Sequence, residues 1–128
     1  MISIVEDDVC AREATERVIR SSGYTVATYA SAEDFLGSNH VNDTSCLITD
    51  VHLPGLSGVE LYRRLLDDGF AAPTIFVSGL ADETTRTEAL AAGAIGFLSK
   101  PFSQKCLIDC LKTALILQDA DNRSPLVV

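Results

Sequence analysis

A chain of 128 residues, 47% hydrophobic and 22% charged, has the size and composition of one globular domain with a single core. Its formal net charge of -8 argues against direct binding to DNA or RNA by this chain. Neither a long apolar span nor a secretory signal is legible, so the expectation is a cytoplasmic protein with no membrane role.

Apolar runs and helical patterns alternate along the chain. Ile2-Ser3-Ile4-Val5 is short and β-branched, which predicts a buried strand. Asp8 is placed to cap a helix from Val9 to about Ser22, and Gly23 marks its stop. Tyr24 to Tyr29 predicts a second strand. Ser31 with Asp34 resembles a capping box opening a short helix that Gly37 or Asn39 ends. Cys46 to Asp50 is the third strand. A helix from Ser57 or Gly58 to about Asp68 follows, with Val59, Leu61, Tyr62, Leu65 and Leu66 on its apolar face.

Pro73 leads into a fourth strand, Thr74 to Ser78, and Asp82 caps a helix of small residues that ends at Gly93. Ala94 to Leu98 predicts a fifth strand, and a last helix runs from Ser103 to about Gln118. Five strand–helix units with continuous apolar strands predict an α/β fold, a doubly wound five-stranded parallel sheet over residues 1–118. Residues 119–128 read as a C-terminal tail or linker stub, with Pro125 stiffening it. Cys10, Cys46, Cys106 and Cys110 lack zinc-like spacing and are expected to be reduced thiols packed as small hydrophobes.

In open α/β sheets the carboxyl ends of the strands face the ligand. Those ends carry Glu6, Asp7 and Asp8 after the first strand and Asp50 after the third. Ser78 follows the fourth, and Lys100-Pro101 the fifth. Clustered carboxylates repel unless a cation holds them, and hard oxygen donors suit Mg²⁺. An Asp beside that metal can attack phosphorus and form an aspartyl phosphate. Ser78 can donate to one phosphoryl oxygen while Lys100 neutralises another.

Taken singly, each of these residues has a plainer use. The acidic run suits a helix N-terminus, Asp50 a turn before Pro54, Ser78 a strand end, and Lys100 a solvated loop. Only their conjunction is specific. A flavodoxin-like cofactor site is excluded on charge, because Glu6-Asp7-Asp8 would repel a phosphate. A phosphohydrolase using an aspartyl phosphate would want a second Asp two positions after the nucleophile, where His52 stands.

The chain resembles the receiver domain of a two-component response regulator. The resemblance rests on Val5-Glu6-Asp7, Asp50 with Leu53-Pro54-Gly55 and Gly58, Ser78-Gly79, and Phe97-Leu98-Ser99-Lys100-Pro101-Phe102. It covers about residues 1–118, and Asp50 to Leu61 and Ala89 to Phe102 are most similar to FixJ-type regulators.

The resemblance implies a CheY-like sheet of strand order 2-1-3-4-5, with Asp50 as phosphoacceptor from a sensor histidine kinase. It implies Mg²⁺ held by Asp7, Asp50 and the main-chain carbonyl of His52, with Glu6 acting through water. Asp8 is then a helix cap, while Ser78 and Lys100 hold the phosphoryl oxygens. The Lys100–Pro101 bond is expected to be cis. Phe97 takes the aromatic switch position, which it shares with the plainer reading of a core aromatic on a buried strand.

The resemblance further implies homodimerisation through the face of the fourth helix, fifth strand and last helix. DNA would be met only through an output domain absent from this chain. Leu80, two positions after Ser78, is expected to hinder water and lengthen the phosphoryl lifetime. His40 reads as a surface loop residue without an evident partner.

Overall fold

The computed structural model describes residues 1–79 and 83–123. Its strands are β1 (Ile2–Val5), β2 (Val26–Tyr29), β3 (Cys46–Asp50), β4 (Thr74–Ser78) and β5 (Gly96–Ser99). They pair in parallel as one sheet in the order β2-β1-β3-β4-β5. The helices between them are α1 (Val9–Ser21), α2 (Ala32–Leu36), α3 (Gly58–Asp67), α4 (Glu83–Ala91) and α5 (Gln104–Arg123). This is the doubly wound α/β fold that the alternating sequence predicts.

Side chains alternate along a strand, so each strand feeds two cores. Ile2, Ile4, Cys46, Ile48, Ile75 and Val77 pack on one face against Ile19 of α1 and Leu107, Leu111 and Ala114 of α5. On the other face Val5 and Leu47 meet Ala32 and Phe35 of α2 and Leu61 and Leu65 of α3. Phe76 packs beside them with Val59 and Tyr62 of α3 and Ala89 of α4. Each fully buried aliphatic or aromatic side chain contributes about 1.5–3 kcal/mol relative to exposure. Ser3 and Thr44 satisfy one another within these layers: their hydroxyl oxygens are 2.7 Å apart, and Thr44 Oγ1 donates to the His40 carbonyl at 2.8 Å. The buried Tyr29 hydroxyl, by contrast, has no hydrogen-bond partner among the described residues.

Several boundaries differ from the expected ones. β2 starts at Val26 rather than Tyr24. β5 runs Gly96–Ser99 instead of Ala94–Leu98. The cause lies in the turn before it: Gly93 takes φ +109°, and the Ala94 amide donates back to Ala89 at 3.2 Å. Pairing starts only when the Ile95 amide reaches the Thr74 carbonyl at 2.9 Å, and it continues to Ser99 opposite Ser78. α5 extends past Gln118 to Arg123, so the first part of the expected tail is helical. The Asp82 cap and residues 124–128, including Pro125, lie outside the described residues.

The cysteines divide. Cys46 is buried and Cys110 half-buried, both in the core as small hydrophobes. Cys10 and Cys106 are exposed, which corrects the packed reading for these two, because they sit on the outward sides of the first turns of α1 and α5. Burial, and then the neighbouring Cys110, push the Cys46 thiol up to about 12. His40 is exposed as expected, but its Nδ1 does have a neighbour in Asp43 Oδ2 at 3.6 Å.

Candidate functional site

Glu6 lies two residues beyond Ile4, and Asp50 two beyond Ile48. Strand alternation therefore turns both carboxylates toward the α1 and α5 side of the sheet. The order places β1 beside β3 where the winding direction reverses, the point at which such sheets bind ligands. The Glu6 amide extends the β1 ladder to the Tyr29 carbonyl at 3.0 Å, and the Val51 amide extends β3 to Val77 at 3.0 Å. Both acids thus stand on hydrogen-bonded backbone.

α3 begins almost on top of the end of β3. The Gly58 amide donates to Val51 at 2.9 Å, and a Cβ on Gly58 would lie 2.1 Å from the Asp50 carbonyl oxygen. Only glycine fits there. Ser57 caps the same helix by accepting from the Glu60 amide at 3.2 Å. At the far side, the Lys100 amide donates to the Ser78 carbonyl at 2.7 Å and joins the ends of β4 and β5. The Lys100–Pro101 bond is cis, as expected.

The side chains then close the cluster. Carboxylate oxygens of Glu6, Asp7 and Asp50 lie within 4.8 Å of one another. Glu6 is 4% and Asp50 6% exposed, whereas Asp7 is open to solvent. Lys100 Nζ donates to Asp50 Oδ2 at 2.7 Å and also to Glu6 Oε1. The other Asp50 oxygen, Oδ1, accepts from the His52 amide at 3.0 Å. Burial, reinforced by Asp50, lifts Glu6 above the usual carboxylate range although Lys100 pulls the other way. For Lys100, burial opposes the charge, yet its bonds to Asp50 and Glu6 outweigh that and hold it above the usual lysine range.

Ser78 is buried at the end of β4, one residue past Val77, the register partner of Asp50. Phe97 is half-buried opposite Phe76 and packs on the α3 and α4 core. The His52 side chain is exposed, and it is the His52 backbone amide that bonds to the cluster. Asp8 caps α1 by accepting from the Ala11 amide at 3.2 Å. Leu80 lies outside the described residues.

Two contacts at the site had no place in the sequence reading. Arg12 Nη1 donates to the Glu6 carbonyl at 2.9 Å, and Glu33 Oε2 accepts from the Leu56 amide at 3.1 Å. Arg12 stands one turn beyond the Asp8 cap, a spacing from which a long side chain can return to the strand end. Glu33 is 23 positions from Leu56 and carries no local signal. Beside the cluster an apolar cleft of about 380 Å³ opens between α1 and α5, floored by Ile4, Ile48 and Val77 with Glu6 and Lys100 among its lining residues.

A family model for the response regulator receiver domain matches residues 2–112. This chain belongs to that family. The response regulator protein TmoT of Ectopseudomonas mendocina is 39% identical over 117 residues, covering 91% of this chain and 53% of that protein. The transcriptional regulatory protein FixJ of Azorhizobium caulinodans is 34% identical over 114 residues, covering 89% of this chain and 54% of its own.

The crystal structure of FixJ-N superposes with a TM-score of 0.81 at 34% identity, covering 89% of this chain and 91% of that one. The FixJ-type resemblance and the strand order are therefore shown. The receiver domain spans about half the length of the curated relatives it matches. As a receiver domain it belongs to two-component signalling, and its acidic cluster is compatible with a divalent cation. No helix among the described residues is long and apolar enough to cross a membrane.

Proposed function

We propose that Asp50 accepts a phosphoryl group from the phosphohistidine of a sensor histidine kinase in a Mg²⁺-dependent step. The observation that carries this is the shared hold of Lys100 on Asp50 and Glu6 beside a three-carboxylate cluster. One lysine cannot neutralise three carboxylates, and hard oxygen donors suit Mg²⁺. Asp7 and Asp50 would hold the ion directly, Glu6 through water, and the His52 carbonyl would complete the protein ligands. When bound, Mg²⁺ supplies charge stabilisation for the phosphoryl oxygens.

The chain's own residues do the rest. Asp50 attacks phosphorus as the bond to the kinase imidazole breaks, and the phosphoryl group passes to a carboxylate oxygen. The Asp50 backbone is fixed by the close approach of Gly58, so the nucleophile starts in a narrow range of orientations. Lys100, already beside Asp50, follows the incoming negative charge onto a phosphoryl oxygen. Ser78 donates to another oxygen. The apolar cleft between α1 and α5, which Glu6 and Lys100 help to line, is suited to a kinase helix.

The phosphoryl group then biases two packings of the α4–β5–α5 face through Ser78 and Phe97, which changes the partner preference of that face. Leu90 of α4 and Ile116 of α5 are exposed at 41% and 65%, the apolar surface that a second copy would cover. Contact with DNA would require an output domain beyond this receiver domain. Incubation with acetyl phosphate and Mg²⁺ should add one phosphoryl group per chain by intact mass, and EDTA should abolish it. An unchanged mass with Mg²⁺ present would count against the proposal.

A further inference from the structure

The loop of residues 51–57 carries the His52 backbone, and three of the bonds that hold it bear on its path. Two are local to β3 and α3: the His52 amide on Asp50 Oδ1 at 3.0 Å and the Gly58 amide on the Val51 carbonyl at 2.9 Å. The third comes from elsewhere, from Glu33 in the first turn of α2 to the Leu56 amide at 3.1 Å. Gly55 makes room for it. This residue takes φ +76°, and a Cβ there would sit 2.5 Å from Glu33 Oε2. Apolar packing supports the same junction, since Leu53 is buried with Ala32 and Phe35 of α2 while Leu56 and Tyr29 pack against that cluster. α2 is anchored in turn by its Ser31 cap, 3.0 Å from the Asp34 amide.

From this geometry we infer that Glu33 is a positioning residue: by holding the Leu56 amide it sets the path of residues 52–57 and so the His52 carbonyl. The inference rests on the metal role of that carbonyl given under Proposed function. A carboxylate is a stronger acceptor for a backbone amide than a neutral group, and the bond joins two elements that also pack through apolar side chains. α2 thereby becomes part of the acceptor site without touching the phosphoryl group.

The test compares Glu33→Ala, Glu33→Gln and wild type by amide hydrogen exchange without metal, by Mg²⁺ calorimetry and by thermal unfolding. Glu33→Ala should speed exchange at Leu56 about tenfold and weaken Mg²⁺ binding about tenfold. Its melting temperature should stay within a few degrees of wild type. Glu33→Gln, whose amide oxygen accepts the same bond, should recover most of both effects. Unchanged Leu56 exchange and Mg²⁺ affinity in Glu33→Ala would overturn the inference and leave the metal reading intact. A Gln variant as weak as Ala would also overturn it, since charge rather than the bond would then be acting. Wild type without measurable Mg²⁺ binding would overturn both.

Discussion

At the scale of single residues, the site is a cluster of buried like charges held by one lysine. Glu6 is lifted above its ordinary range by burial and by Asp50, so the folded state binds its proton more tightly than the unfolded chain does. That contribution is fully present below the unfolded value and is lost as pH rises through the folded one. Without metal, the domain should therefore lose stability as pH climbs above the ordinary glutamate range. Glu6→Gln should remove that loss, leaving the metal-free domain more stable at neutral pH while weakening Mg²⁺ binding about tenfold. Thermal melts across pH, with and without Mg²⁺, check both halves.

Lys100→Met acts in the opposite direction. It leaves Asp50 and Glu6 adjacent and without their shared ammonium, at a cost of about 2 kcal/mol. The figure is reduced from that of a fully buried pair because Lys100 keeps 27% of its side chain exposed. Added Mg²⁺ should stabilise this variant more than it stabilises wild type. Equal metal-induced shifts in melting temperature would contradict that.

At the scale of elements, the site depends on how closely α3 and the acceptor loop approach the end of β3. Gly58→Ala places a methyl group 2.1 Å from the Asp50 carbonyl oxygen, so helix or strand must move. We expect a loss of about 3 kcal/mol and a fall in melting temperature of roughly 10 °C. Gly79→Ala, with nothing within 4 Å of its Cβ, should change stability far less. Differential scanning calorimetry of the two variants decides this.

Much of this scale was legible in the sequence, because it rests on local rules. The caps Asp8, Ser31 and Ser57 announced their helices, and the β3 and β4 boundaries followed from apolar runs closed by polar residues. β5 was misplaced because Ala94 and Ile95 are as apolar as the strand itself, while Gly93 draws Ala94 back into the end of α4. The contacts of Arg12 and Glu33 were not legible for a different reason. A side chain bonded to a distant backbone group leaves no trace in local pattern, and 23 residues separate Glu33 from Leu56.

At the scale of the molecule, the sheet connects Asp50 to the α4–β5–α5 face proposed to report on it. Asp50 on β3 pairs with Val77, the next residue Ser78 pairs with Ser99 on β5, and Phe97 leans on the core shared by α3 and α4. A charge event at Asp50 is therefore two strands from the α4–β5–α5 face. With Mg²⁺ and beryllofluoride, a stable phosphoryl mimic, the domain should shift toward a dimer on size exclusion, and Leu90→Glu should prevent the shift. An unchanged monomer would count against that face as the reporting surface. The central claim lies one step earlier, in the identity of the acceptor. It is tested most directly by labelling wild type and Asp50→Asn with acetyl phosphate in the presence of Mg²⁺. The account predicts one phosphoryl group on wild type and none on Asp50→Asn; equal labelling of the two would contradict it.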